Sequence, residues 1–531
     1  MPLCGVILAG GVKALDVASS EYVVSMPENR GEGDELTNLP IMWMGHASFN
    51  EKWICGGNDG VDRGDDEEGE RGGGQLGMVN RMGDKLHVSL AKLAQEHGPL
   101  ISLKLGTQIL VAASSPEAAR GILKTQDRLL SSRVVPTAMQ HKPFLPHSIL
   151  FSECNDSWKT LRNLCKTEMF SSNAIEAQSR LREEKVERLL GFLLEKQGQV
   201  INTEDIVFTT LFNTLSCVVF GKDLLNLEDE HETRVGVKRS ILMILEHVGR
   251  VKDVGAFFPI FQRFDLQGIR KGGMRHIQEV FDYWKDLIGE KRSIINSSTP
   301  SSVQSKSFLD VLLENEFSDD RINEYVTELF VAGTNTTTTS LVWAMVEIVK
   351  NQDVMTKIQE EVKREITSDK IQVSQLPKLQ YLQACVKEAL RLHPPVPFLL
   401  PRVAVETCEV MNYTVPKNAR IFVNVWAIGR DPKVWDDPLT FKPERFLGND
   451  LDYKGQDFEF LPFGSGRRMC PSLPLGSKSM EFIIASLIHK FDWALPNNES
   501  PSKLDMDDRF LITLRKEKPL KLVFKPKKDH K

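Results

Sequence analysis

Long apolar runs, clustered cysteines and a dominant charge are all missing from this chain of 531 residues. The most apolar N-terminal stretch, Leu3 to Val12, ends at Lys13. A membrane-spanning helix needs roughly 20 apolar residues, and no basic start precedes the run as a secretory signal would require. The N-x-[ST] matches at Asn296 and Asn412 are therefore read as chance. The eight cysteines (Cys4, Cys55, Cys154, Cys165, Cys217, Cys385, Cys408 and Cys470) contain no C-x-x-C pair. That disfavours a disulfide framework and a zinc site, and fits a reducing compartment. With 67 Lys and Arg against 72 Asp and Glu, net −5, nothing electrostatic points to nucleic acid as main partner. The basic end from Arg515 to Lys531 reads as a solvated terminus ahead of a docking patch.

What remains is globular in character: 41% of residues are hydrophobic and 26% charged. Length alone allows two to four domains. Residues 1–81 stand apart, because Gly56 to Gly74 is dominated by glycine and acid and buries almost nothing. Disorder, or a mis-joined segment, is expected there. From about Gly83 the chain becomes regular. Helical periodicity is expected over 85–96, 116–125, 157–169, 174–197, 202–219, 229–247, 271–293, 308–316, 320–349, 351–366 and 377–392. Ser115 before Pro116 is an N-cap and N1 pair. Residues 293–307 are a serine-rich connection. Strands are expected at 100–105, 108–112, 398–404, 407–411, 420–423, 510–515 and 520–525. A last helix follows Cys470 to about Lys490. The pattern is mainly α with small β-sheets, a single large domain over 82–527, and a basic tail at 528–531.

The chemistry concentrates at Phe463-Gly464-Ser465-Gly466-Arg467-Arg468-Met469-Cys470. Glycines allow a tight turn and close approach. Cys470 stands just before an apolar helix, and both a helix N-terminus and a nearby arginine favour a thiolate. Such a cysteine suits an axial ligand to haem iron, with Arg468 paired to a propionate and Phe463 beside the sulfur. The ordinary alternative is a buried cysteine in a glycine-rich turn. The four fixed positions of F-x-x-G-x-R-x-C should coincide by chance roughly once per thousand chains of this length, which decides against that alternative.

This segment resembles the cysteine signature of the cytochrome P-450 family, the haem-thiolate monooxygenases, and the resemblance covers roughly 82–527, most like plant microsomal members. Glu388-Ala389-Leu390-Arg391 matches the family's E-x-x-R, and Pro443-Glu444-Arg445-Phe446 follows it. Alone, E-x-x-R is an ordinary helical i,i+3 pair. The resemblance makes Glu388, Arg391 and Arg445 a buried ion triad locking the core, since a buried charge is tolerated when paired. Trp158 and Arg162 match W-x-x-x-R on a helix, and with Arg402 they are expected to reach the haem propionates. Gly464 and Phe463 complete the haem loop, with Cys470 as the metal ligand.

The stretch Ala332-Gly333-Thr334-Asn335-Thr336-Thr337-Thr338-Thr339 is poor in helix propensity. Its threonine hydroxyls can bond the i−4 carbonyl and bend the helix. By resemblance it is the oxygen groove: Ala332 and Gly333 leave room for dioxygen, and Thr336 holds the proton-donating water. Two departures stand out. The family usually has Asp or Glu where this chain has Asn335, and an amide can order water but cannot ionise. The family usually has Gly two residues after the cysteine, where this chain has Ser472.

The resemblance implies haem b, dioxygen, and an NADPH-cytochrome reductase delivering electrons singly at the cytosolic face of the endoplasmic reticulum membrane. A membrane-surface contact is expected at 254–261 (Phe257, Phe258, Phe261). Phe144, Leu329, Val331, Phe398, Leu399 and Phe510 are the expected pocket walls, fitting a hydrophobic small molecule of alkaloid or terpenoid size. Hydroxylation or oxidative coupling would be the reaction. A degenerate, non-catalytic scaffold is the alternative.

Overall fold

The computed structural model describes residues 83–140, 148–228, 232–249, 253–296, 306–527. The expectations for residues 1–81, for Phe144 and for the tail 528–531 lie outside these.

The molecule is built around one helix, Asp319–Lys350, opened by the Ser318 hydroxyl accepting from the Arg321 N–H, with Asp319 and Asp320 in its first turn. Both devices satisfy or complement the free N–H groups of a helix start. At 1.5 Å per residue it runs about 48 Å, and packs against Thr203–Phe220, Ile269–Asn296, Gln380–Leu392 and Leu473–Lys490. The helix Leu473–Lys490 buries Phe482, Ile484 and Leu487 alike and is apolar around most of its circumference, as a fully enclosed helix must be. Thr203–Phe220 stops at Gly221, whose φ of 76° supplies the left-handed residue that ends it.

The strands gather into a five-stranded sheet in the order Leu100–Leu105, Gln108–Ala113, Arg420–Val423, Arg402–Val403, Ser132–Arg133. Gln108–Ala113 and Arg420–Val423 run parallel, with Val111 opposite Ile421. The remaining pairs are antiparallel, and the outermost sets Arg133 directly opposite Arg402. A three-stranded sheet joins Val200–Asn202, Lys521–Pro526 and Phe491–Ala494. Two hairpins, Cys408–Val410 with Tyr413–Val415 and Asp508–Phe510 with Leu514–Lys516, complete the β part.

Three local differences from expectation have physical causes. The helix from Pro116 turns wider at Gly121–Thr125, where a Cβ on Gly121 would lie 2.9 Å from Val410. The strand expected over 398–404 shrinks to Arg402–Val403, because Leu399 has φ 54° and donates its N–H to the Val396 carbonyl in a turn. The helix expected from 377 begins at Gln380, since Pro377 closes a preceding 3-10 turn over Val373–Lys378.

Candidate active site

The loop before Leu473–Lys490 is bent by Gly464 and Gly466, with φ of 72° and 71°. A side chain on Gly466 would run into the Leu123 carbonyl, so only glycine fits that approach. The Cys470 N–H donates to the Phe463 carbonyl at 3.0 Å and Met469 N–H to Gly466 at 3.1 Å, which closes the loop. Ser465 ties it to the Gly455 carbonyl at 2.6 Å. Phe463 is half-buried, edge-on to Tyr453. Cys470 is half-buried and close enough to Arg162 to interact with its charge, while the Arg162 guanidinium donates to the Met469 carbonyl.

Four guanidiniums converge on this loop. Arg402 is buried and donates to the Leu130 carbonyl at 3.2 Å and the Ser465 carbonyl at 3.5 Å. Arg468 donates to the carbonyls of Ser131, Ile149 and Ser152. Trp158 lies between Arg162 and Arg468, whose guanidinium carbons are 5.2 and 4.7 Å from its ring. The fourth is Arg133, which sequence reading did not single out. It bonds the Leu400 carbonyl, while its Nε is enclosed without a partner. Burial, then the charges of Arg402 and Arg468, push the Arg133 pKa well below its ordinary value. Burial pushes Arg402 down to about 10, partly offset by Asp127 3.5 Å away. Among the described residues no carboxylate ion-pairs with Arg133, Arg162 or Arg468. Like charges opposed across a strand pair, as Arg133 and Arg402 are, destabilise a sheet unless an anion joins them.

Trp158 was expected to aim its indole N–H at the same anion. Instead that N–H donates to the Ile149 carbonyl at 2.9 Å. The segment carrying Ile149 is itself held by a carboxylate absent from the sequence reading. Glu328 accepts from the Ile149 and Leu150 N–H groups at 2.7 and 3.3 Å and from the Ser148 hydroxyl. Burial pushes its pKa up to about 7 against these donors.

Asp319–Lys350, which packs against the helix after Cys470, is buried on nearly every face through its middle. Ala332, Gly333, Thr336 and Thr337 are the half-exposed exceptions, spaced as one stripe. The hydroxyls of Thr334, Thr336, Thr337 and Thr338 donate to the carbonyls four residues back, at 2.7 to 3.0 Å. Thr337 Oγ1 would be 3.8 Å from a Cβ on Gly476, so the helix after Cys470 passes directly by. Asn335 is buried and donates from Nδ2 to the Thr513 hydroxyl at 3.0 Å.

A cavity of about 280 Å³ opens beside the sheet, lined by Phe398, Leu399, Phe510, Phe151, Val134 and Ile512 among others, with Asp253 and Arg420 in its wall. Leu329 and Val331 do not line it and pack instead in the helical core with Phe330 and Phe212. Away from the cavity, Glu388 binds Arg391 in two bonds of 2.7 and 2.8 Å and Arg445 at 3.0 Å. The Lys442 N–H adds a fourth bond at 2.8 Å, and Glu388 and Arg391 are wholly enclosed.

A half-buried cysteine on a glycine loop, four arginines around it with one carboxylate partner among them, and a neighbouring helix with one open stripe fit a dicarboxylate group that carries a metal for the sulfur. The cytochrome P450 family model matches residues 73–524, and the chain belongs to that family. A probable (S)-N-methylcoclaurine 3'-hydroxylase isozyme 2 of Coptis japonica is 47% identical over 85% of this chain and 91% of its own. Corytuberine synthase of the same plant is 43% identical over 81% and 87%. Berbamunine synthase of Berberis stolonifera is 39% identical over 82% and 88%. A solved zebrafish cytochrome P450, in a structure with progesterone, shares the fold with TM-score 0.69 at 23% identity, covering 83% of this chain and 99% of its own. The protein is a haem-thiolate monooxygenase, an oxidoreductase whose cofactor is thiolate-ligated haem b. It takes dioxygen, a small-molecule substrate and electrons from a redox partner. Nothing among these relatives favours the non-catalytic alternative.

Proposed function

We propose that this enzyme oxidises a benzylisoquinoline-type alkaloid, by hydroxylation or phenol coupling, with electrons from NADPH-cytochrome reductase at the cytosolic face of the endoplasmic reticulum membrane. The observation that carries the cofactor assignment is the set of four buried or half-buried arginines around the Cys470 loop, of which only Arg402 meets a carboxylate among the described residues. In this reading Cys470 would ligate the iron, and Arg133, Arg162, Arg402 and Arg468 would hold the two carboxylates. The haem, when bound, supplies dioxygen activation and the oxidising equivalent.

The chain's own residues position, exclude and relay. Ala332 and Gly333 keep the stripe low enough for a diatomic molecule. Thr336 uses its hydroxyl hydrogen on the Ala332 carbonyl, which leaves its oxygen free to accept from a water beside the stripe. Asn335, spent on Thr513 and unable to ionise, orders the groove without supplying a proton. Phe398, Leu399 and Phe510 form apolar walls that orient an aromatic substrate and exclude bulk water. The names of the relatives, which include a hydroxylase and two synthases, support the alkaloid class.

Two surfaces support the remaining partners. Exposed Lys124, Arg128, Lys159 and Lys166 lie on segments packed against the Cys470 loop and suit an acidic reductase face. Ile260 (62% exposed), Phe264 (68%), Phe261 and Leu266 form an apolar patch suited to a lipid surface. Of the stretch expected from sequence, Phe261 belongs to this patch, while Phe257 lines the cavity. Among the described residues no helix is long and apolar enough to cross a membrane.

The test is turnover of N-methylcoclaurine and its coupling-competent relatives by the holoenzyme with reductase and NADPH, with products read by mass. A product gaining oxygen supports hydroxylation, and one losing two hydrogens supports coupling. Turnover of neutral terpenoid alcohols but none of the amines would overturn the alkaloid assignment.

A further inference from the structure

The residue two places after Cys470 is a serine, and its hydroxyl has an unusual position. Ser472 is the N-cap of Leu473–Lys490, where a serine side chain ordinarily accepts from an N–H of the first turn. Here it makes no such bond. Its Oγ lies 3.4 Å from the Cys470 Sγ instead, within hydrogen-bond reach of sulfur. The backbone gives no other reason for a serine, because φ −90° and ψ 11° are open to any residue. The peptide N–H of Cys470 is taken by the Phe463 carbonyl, and the Arg162 guanidinium is turned to the Met469 carbonyl. The sulfur therefore has few competing donors, and a thiolate accepts a hydroxyl hydrogen readily.

We propose that Ser472 is a positioning residue that donates a hydrogen bond to the Cys470 sulfur and so sets how strongly that sulfur donates electron density to the iron. The proposal rests on the reading of Cys470 as the iron ligand. A hydrogen bond draws density from the sulfur, weakens its push, and raises the reduction potential, since second-shell hydrogen bonding is one of the protein's levers on haem. A glycine at this position carries no such donor. Ser472 thus makes the first electron easier to accept and the thiolate push weaker than a glycine would.

The experiment compares the reductive midpoint of the holoenzyme with those of Ser472→Ala, Ser472→Gly and Ser472→Thr by spectroelectrochemistry, alongside the C–O stretch of each reduced carbon monoxide complex. Alanine and glycine should lower the potential by a tenfold change in the reduction equilibrium, about 59 mV for one electron. The C–O stretch should fall with it, because a stronger sulfur donor increases back-donation to the bound probe. Threonine, which keeps the hydroxyl, should stay at the wild-type values. A merely structural role for Ser472 moves neither reading. Equal potentials and stretches in wild type, Ser472→Ala and Ser472→Gly, with the red-shifted thiolate-type Soret band intact in all, would overturn the proposal alone. A wild-type reduced carbon monoxide complex without that red shift would overturn the ligand assignment, and the proposal with it.

Discussion

At the scale of single residues the haem cradle has two opposed requirements. Arg133 and Arg402 repel one another across a strand pair until a dicarboxylate group joins them. Arg133→Gln should therefore relieve the haem-free chain and loosen the loaded one. The expected result is a haem dissociation rate to an acceptor globin raised about tenfold, equivalent to 1.4 kcal/mol of lost binding, together with no loss of melting temperature in the haem-depleted protein. A variant that loses both would make Arg133 an ordinary structural residue. Thr336 makes the complementary case. Its hydroxyl touches only a carbonyl of its own helix, so Thr336→Ala should stay within about 0.5 kcal/mol in stability. Product formed per NADPH consumed should fall severalfold, measured by coupled product and oxidation assays.

Between elements, stability rests on buried charge that is paired in one place and neutralised in another. Glu388 joins Gln380–Leu392 to the segment 438–445 through Arg391, Arg445 and a backbone N–H. Glu388→Ala would strand Arg391 in a dry interior, and breaking such a pair costs about 3–5 kcal/mol. The expected readout is soluble protein with little haem, seen as a collapsed carbon monoxide difference spectrum. Glu481, inside Leu473–Lys490, behaves differently. Burial pushes its pKa up to about 7 from an ordinary 4.5. The folded chain thus keeps a proton that the unfolded chain releases. The stability this contributes is full below about 4.5 and is lost as pH rises towards 7. Glu481→Gln removes that dependence, so its stability advantage over wild type should grow across this window and level off above it. The size is on the order of 3 kcal/mol from the pKa difference, and chemical denaturation at several pH values checks it.

For the whole molecule, the proposed lipid contact is tested at one exposed face. The apolar patch of Ile260, Phe261, Phe264 and Leu266 lies close along the chain to Phe257, which lines the cavity. Ile260→Ser with Phe264→Ser should lower binding to neutral phospholipid vesicles at least tenfold, since each large apolar side chain contributes about 1.5–3 kcal/mol when fully buried. Thermal stability should be unchanged, because both side chains are exposed already. Co-flotation with vesicles measures the first and calorimetry the second.

Much of this was legible in the residues because it is local chemistry. The glycine loop before Cys470, the i,i+3 pair Glu388 and Arg391, and the threonine run are set by neighbours in the chain, and the helix periods follow from the same short range. The helix over 116–125 kept its bounds but changed its winding where a third body intervened, at Gly121 against Val410. The cradle's fourth arginine, the Glu328 clamp on Ser148 and Ile149, and the Asn335 bond to Thr513 could not be read at all. Each joins residues more than 170 positions apart, and neither spacing nor composition encodes which strand register or loop will bring them together. The pocket divides the same way. Phe398, Leu399 and Phe510 reached the cavity, while Leu329 and Val331, equally apolar, were taken by core packing. The kind of chemistry was written in short motifs, since a thiolate loop and an ion triad need only a few bonds of reach. Where charge is balanced and which walls meet the substrate were decided by folding, because those contacts exist only once distant segments share one interior.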